Sequence, residues 1–143
     1  MRVPLLPLLL IGALAAPTVV LATGFGGDSP PTRIPVPARV FSAVVEDLSG
    51  TSVEITRVSF NGEVYLYGLV GEGQVSVPFE KISTVRVELM QDEGKRVALA
   101  TLTTGETVRL VVESDLPWYG DAVFGHYKID VAKVRKITFK GAQ

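Results

Sequence analysis

Apolar and polar residues alternate along nearly every segment of the chain from Arg39 onward. Successive side chains of a β-strand point to opposite faces, so an alternation with a period of two predicts a strand with one buried face. The clearest apolar positions of this kind form five groups: Val53 and Ile55; Val75, Val77 and Phe79; Val85, Val87 and Leu89; Val108, Leu110 and Val112; and Tyr127, Ile129 and Val131.

Short segments rich in glycine and polar residues separate the alternating runs. Such segments form tight turns, and Asn61-Gly62 suits a type I′ hairpin, in which both central residues need a positive φ. No segment beyond Arg39 carries a clear apolar stripe at helical spacing. The pattern therefore predicts an antiparallel all-β domain with short hairpins. The other turn segments are Ser49-Gly50, Gly71-Glu72-Gly73, Asp92-Glu93-Gly94 and Thr104-Gly105.

The second half of this domain repeats the pattern of the first. Residues 73–87 align with residues 125–139 without a gap, and every large apolar position of one segment meets a large apolar position of the other. Identical residues in one register indicate an internal duplication, with two tandem units at about 39–90 and 91–143. The identities at this offset of 52 residues are Gly73 with Gly125, Lys81 with Lys133, and Tyr67-Gly68 with Tyr119-Gly120.

Each unit has the element order of a small barrel, with a short turn before its last strand. The turn falls at residues 80–82 in the first unit and at residues 132–134 in the second. This order resembles the architecture of SH3-like and Sm-like barrels, although no motif of those families is present. A short hairpin at residues 92–94 joins the two units directly. Two fused barrels with a shared core and one continuous β-sandwich are both compatible with that connection.

The first 22 residues have the pattern of a secretory signal peptide. Arg2 supplies a positive start, residues 3–20 carry no charge, and small residues precede a cleavage position after Ala22. Cleavage after Ala15 is an alternative. An uncleaved membrane anchor is the competing interpretation, but prolines and a glycine interrupt the apolar run. We therefore expect an exported protein, periplasmic or extracellular, with membrane association only if the segment stays uncleaved.

Residues 23–38 are rich in glycine and proline and have no periodic apolar pattern, which is typical of a tether. The tether also alternates Ile34 and Val36 with prolines, which are tolerated at the edge of a sheet. This segment can therefore add as a strand to the sheet of another molecule, which would give a homo-oligomer.

The composition excludes several classes of function. The chain carries 14 Lys and Arg against 15 Asp and Glu, so nothing in its charge attracts nucleic acid. It has no cysteine, which excludes disulfides, a thiolate metal site, a cysteine nucleophile and a lipoprotein anchor. We expect no cofactor.

One loop region, residues 115–126, holds the most suggestive side chains. It contains the only tryptophan and the only histidine of the chain, Trp118 and His126, together with Asp115 and Asp121. An aromatic ring beside carboxylates can bind a sugar or a peptide, so these four residues are the predicted ligand-binding site. The alternative is that Trp118 fills the core and that His126 is an ordinary exposed residue at the start of a strand.

The sequence predicts binding rather than catalysis. His126 is not accompanied by a serine elbow, and the carboxylates lie in a hairpin where solvated acids are common. We therefore expect a non-catalytic interaction or assembly module that binds an envelope or extracellular protein or glycan. The alternatives are a small hydrolase that uses His126 with nearby carboxylates, and a purely structural domain of a larger envelope complex.

Overall fold

The computed structural model describes residues 30–142, so the predicted signal peptide and the first part of the predicted tether lie outside the described residues. Ten strands account for most of this range, and two 3₁₀ turns, Phe79–Lys81 and Val131–Lys133, are its helical elements. Within residues 30–142, no helix has the length and apolar character needed to cross a membrane. The strands are β1 Phe41–Asp47, β2 Ser52–Phe60, β3 Tyr65–Val70, β4 Gly73–Pro78, β5 Ile82–Leu89, β6 Lys95–Leu102, β7 Thr107–Glu113, β8 Pro117–Ala122, β9 Gly125–Asp130 and β10 Val134–Ala142.

All ten strands form one antiparallel sheet, in the order β4-β3-β7-β6-β5-β10-β1-β2-β8-β9. The sheet curls into a half-barrel, and this confirms the predicted antiparallel all-β class. At its centre β5 pairs with β10, where Val85 lies opposite Ile137 and both side chains are fully buried. Strands β4 and β9 form the two edges. The N-terminal hairpin β1–β2 and the hairpin β6–β7 therefore lie on opposite sides of the central pair.

The alternating apolar positions supply the core as the period of two predicts. Ile55, Val77, Leu110 and Ile129 are all buried, whereas Leu89 at the end of β5 is largely exposed. The buried side chains form one cluster that runs through the whole sheet. Its largest members are aromatic: Trp118, Phe41, Phe60 and Phe79.

The hairpin turns also follow the sequence signals. Asn61 and Gly62 both have positive φ, at 51° and 90°, as a type I′ turn requires. Phe60 and Glu63 close this turn with two reciprocal backbone hydrogen bonds of 2.8 and 2.9 Å. The Asn-Gly turn thereby reverses the chain between β2 and β3, which share only the isolated bridge between Phe60 and Glu63.

The described part of the predicted tether, residues 30–38, contains no strand. Pro37 is buried, and Pro35 lies against the Asn-Gly turn, where a Cβ placed on Gly62 would be 3.4 Å from the Pro35 Cβ. Just beyond, Arg39 forms an ion pair with Glu80. The chain is thus held against the domain shortly before β1 begins.

Candidate functional site

The predicted binding residue Trp118 lies in the core. Only 1% of its surface is exposed. Its ring packs at centroid distances of 4.8 Å from Phe60, 5.7 Å from Phe79 and 6.4 Å from Phe139. A ligand at the protein surface cannot reach this side chain in the folded state. Trp118 therefore contributes packing energy and stays outside the site described below.

The two predicted aspartates lie at opposite ends of β8. Asp115 is exposed in the turn that follows β7, whereas Asp121 lies near the end of β8, in the register position opposite His126. Six residues of extended chain separate them, roughly 20 Å at the rise of a β-strand. The structure therefore brings Asp121 and His126 together and places Asp115 elsewhere.

Asp121 is the centre of a three-residue cluster. Its Oδ1 lies 2.7 Å from His126 Nδ1, and its Oδ2 accepts a hydrogen bond of 2.6 Å from Arg57 Nε. The side chain of Asp121 is 19% exposed, against 42% for His126 and 44% for Arg57. We call these three residues the ionic cluster.

Arg57 reaches the ionic cluster because β2 is bulged at this point. The pairing of β2 with β8 skips between Thr56 and Ser59, and Arg57 has a positive φ of 53°. Such a bulge inserts an unpaired residue and redirects its side chain. The bulge interrupts the alternation in the sequence. The buried positions Ile55 and Val58 are three residues apart, whereas a regular strand would place them two apart.

The ionic cluster stabilises the charged form of Asp121. Partial burial of the carboxyl opposes ionisation, but the hydrogen bonds and positive charges of His126 and Arg57 outweigh this effect. The pKa of Asp121 is therefore lowered from its ordinary value of 3.8. At neutral pH the carboxylate is ionised, held by the guanidinium of Arg57 and the imidazole of His126.

A cavity lies at the other end of the sheet, where β3 meets β7. It is an open groove of about 580 Å³ that sequence reasoning did not identify. Pairing between β3 and β7 is limited to Leu69 opposite Val111, so the two hairpins diverge on either side of this point. We call this cavity the open groove. Its lining residues are Tyr67, Gly68, Leu69, Gln74, Val75, Ser76, Lys95, Val111, Val112, Glu113 and Leu116.

Polar groups surround the apolar floor of the open groove. The Tyr67 hydroxyl accepts a hydrogen bond of 2.9 Å from Asn61 Nδ2, which fixes the ring at one side. On the other side Lys95 Nζ lies 2.9 Å from Glu113 Oε1, and this hydrogen bond raises the pKa of Lys95. Gln74 and Ser76 add an amide and a hydroxyl from the edge strand β4.

The open groove and the ionic cluster occupy corresponding places in the sheet. When each strand is exchanged for the one whose number differs by five, the same strand order results, read from the other edge of the sheet. Strand β3 then corresponds to β8 and β7 to β2. Leu69 and Gln74 then correspond to Asp121 and His126, at the offset of 52 residues. At one end of the sheet these positions line a groove. At the other end they bond to each other and to Arg57.

Within residues 30–142, no group of three or more histidine, aspartate and glutamate side chains is placed to bind a metal ion. The ionic cluster itself supplies one imidazole and one carboxylate beside a guanidinium, and that cation opposes the binding of a second one.

Comparison with known proteins gives one match. A family model described as "Uncharacterised protein" matches residues 37–142. The match begins at the buried Pro37 and covers all ten strands. No curated protein and no solved structure matches the chain.

Proposed function

The chain belongs to this family, whose description names no activity. From the surface of the chain itself, we propose that it is a non-catalytic binding module that works outside the cytoplasm. Its partner is a protein or a glycan of the envelope or the extracellular space. The observation that carries the proposal is the open groove at the junction of β3 and β7.

The lining of the open groove suits a small recognition site. Its volume of about 580 Å³ lies within the range of roughly 300 to 1,000 Å³ that is common for ligand pockets. Leu69, Val111 and Val112 offer apolar surface, and Tyr67 offers a ring against which a sugar or an apolar side chain can pack. Gln74 and Ser76 can exchange hydrogen bonds with hydroxyl or peptide groups.

We also infer that the fold arose by fusion of two units of five strands, each resembling a small SH3-like barrel. The first hairpin of each unit pairs with strands of the other unit. The strand order supports this, because β6–β7 lies between β5 and β3 just as β1–β2 lies between β10 and β8.

Backbone hydrogen bonds support the same exchange. The amide of Phe79 donates to Val64 at 3.0 Å, and the amide of Val131, 52 residues later, donates to Leu116 at 2.9 Å. Across the exchanged hairpins, Thr103 donates to the carbonyl of Lys81 at 2.9 Å. Its counterpart, Leu48 donating to Lys133, has a length of 3.0 Å.

Export rests on the signal-like pattern of residues 1–22, which lie outside the described residues. Expression of the full sequence in an exporting host, followed by mass measurement of the product, tests this part. A mass that begins at Thr23 supports export with cleavage, and a product that retains residue 1 contradicts it.

A hydrolase remains the second candidate because the Asp121–His126 pair resembles two of the three members of a catalytic triad. A carboxylate bonded to Nδ1 orients the imidazole as in hydrolases, with Nε2 left to act as a base. The third member of the cluster, however, is the guanidinium of Arg57, which donates to Asp121 and cannot act as a nucleophile. Turnover of ester or glycoside substrates that is lost in His126→Ala would support this candidate over the binding module.

A matched pair of serine substitutions tests the binding function. Ser76→Arg places a long side chain in the open groove, whereas Ser52→Arg adds the same charge at an exposed position of β2. The purified protein is applied to a glycan array and to a phage-displayed peptide library. We expect probes that bind the wild type and Ser52→Arg but not Ser76→Arg. Binding that survives Ser76→Arg unchanged would rule out the open groove as the site.

A further inference from the structure

The two ends of the sheet differ in a second respect, the hairpins at their edges. The loop between β8 and β9 consists of Val123 and Phe124, whose side chains are 104% and 76% exposed. The corresponding loop between β3 and β4 is Gly71-Glu72, which carries no apolar side chain. Tight turns favour glycine and small polar residues, so a valine and a phenylalanine together at a turn are unusual.

The two ends of the sheet therefore differ in both features. The β3–β4 end has the open groove and a small, glycine-containing loop. The β8–β9 end has a bulky apolar loop, the ionic cluster, and a smaller pocket of about 360 Å³ whose lining includes Glu54 and Asp121. The apolar tip needs a groove to bury its side chains, and the protein itself provides one of suitable size at the opposite end.

From this complementarity we propose that the chain associates head to tail, with Val123 and Phe124 of one copy seated in the open groove of the next. The inference rests on the proposed binding role of the groove and names its partner as a second copy of this chain. Leu69, Val75 and Leu116 would receive the Phe124 ring. Because the two contacting surfaces are different, the association repeats into open chains or closes into a ring.

A symmetric dimer would not bring the apolar tip to the open groove. Two copies joined at their β8–β9 ends would place each tip beside an ionic cluster and the smaller pocket that includes Glu54 and Asp121. Two copies joined at their β3–β4 ends would leave both open grooves without an apolar tip. Only the contact between unlike ends places an apolar tip against the open groove.

Charges around the two surfaces do not oppose this contact. Beside the open groove, Glu72 is exposed and Glu113 is shared with Lys95, so negative charge is in excess. Beside the tip, the guanidinium of Arg57 balances the carboxylate of Asp121. The contact therefore places a negative rim against a surface whose charges are paired.

Sedimentation velocity of the full sequence after export tests the proposal. Contacts that bury less than about 1,200 Å² are usually weak, so the measurement extends from about 10 µM to 1 mM protein. We expect the wild type to associate with rising concentration and Phe124→Ser to weaken that association about tenfold or more. Leu89→Ser is the matched control, because Leu89 is an equally exposed apolar residue at another hairpin. We expect it to behave as the wild type.

Mixing two variants separates this contact from any other. Phe124→Ser keeps an intact groove and Ser76→Arg keeps an intact tip, so each alone should remain mostly monomeric at concentrations at which the wild type associates. Their equimolar mixture should form a dimer and nothing larger, since only one productive contact remains. A monomeric wild type at 1 mM, an unaffected Phe124→Ser, or a mixture without dimer would each overturn head-to-tail association.

The same measurements distinguish failure of this inference from failure of the proposed function. A wild type that stays monomeric but binds a glycan or peptide probe through a groove sensitive to Ser76→Arg refutes self-association and leaves the binding module intact. A wild type that neither associates nor binds any probe in a groove-dependent way refutes both.

Discussion

Gly68 lies where β3 approaches β7, and its replacement by alanine tests the geometry that creates the open groove. A Cβ on Gly68 would lie 2.5 Å from the carbonyl oxygen of Val111 and 2.9 Å from Val112 Cγ1. The nearer atom belongs to the backbone, so relief requires β3 to move away from β7. Only one register pair, Leu69 with Val111, joins these strands.

The cost of Gly68→Ala follows from two effects. Overpacking a close contact costs about 1–3 kcal/mol, and loss of a backbone hydrogen bond at the junction adds about 1 kcal/mol. We therefore expect the free energy of unfolding to fall by about 2–4 kcal/mol. For a domain of this size that lowers Tm by roughly 10–20 °C.

Urea and thermal unfolding followed by circular dichroism measure this effect. Gly73→Ala is the control, because a Cβ on Gly73 would be 3.7 Å from its nearest neighbour, the carbonyl oxygen of Val70, and this glycine does not have a positive φ. We expect the control to change stability by less than about 1 kcal/mol. If Gly68→Ala is as stable as Gly73→Ala, the close approach of β3 and β7 described here is incorrect.

Three further predictions concern other parts of the chain. The single tryptophan, Trp118, should emit at short wavelength and resist quenching by iodide, because it is buried; strong quenching would place it at the surface. The pKa of Asp121 is lower in the folded protein than its ordinary value of 3.8. The ionised carboxylate therefore stabilises the fold above the unfolded-state pKa, and this contribution is lost as the pH falls through the folded-state pKa. Wild type should therefore exceed Asp121→Asn in urea stability at pH 6, with a gap that closes toward pH 2; a gap that does not change with pH would contradict the ionic cluster. Asn61→Ala should cost roughly 1 kcal/mol in chemical unfolding, since alanine disfavours the positive φ, whereas Asn61→Gly should cost less; equal losses would point away from backbone strain.

Much of the fold was predictable because strands and tight turns are encoded locally. The alternation of Val75 and Val77, or of Val85 and Val87, reveals a strand without knowledge of its neighbours. The order of the strands was not predictable in this way. The position of β7 between β3 and β6 depends on pairing across more than forty residues, for which a single sequence contains no pattern.

The candidate site was likewise predictable only where its residues are close in sequence. Asp121 and His126 flank a two-residue loop, so their contact follows from hairpin register alone. Arg57 is 64 residues from Asp121 in sequence, and its contribution required the pairing of β2 with β8. The burial of Trp118 could have been predicted from the repeat. Its counterpart at the offset of 52 residues is the apolar Leu66, and both side chains are buried.

The open groove could not be read from the sequence because it is a gap between strands. Its floor comes from β3 and β7 and its wall from the edge strand β4, and the divergence of the two hairpins creates its volume. The apolar loop at Val123 and Phe124 is visible in the sequence. Its significance depends on knowing that an unfilled groove lies at the corresponding place at the other end of the sheet.

Chemical-shift mapping of the uniformly ¹⁵N-labelled protein tests whether the open groove binds the loop at Val123 and Phe124 of a second copy. Amide spectra are recorded as the concentration of the protein rises to about 1 mM, the range in which small interfaces populate. We expect shifts confined to the lining of the open groove and to the loop at Val123 and Phe124, with the amides of Val85 and Ile137 at the centre of the sheet unchanged. Spectra that do not change, or shifts centred away from the groove, would contradict head-to-tail association.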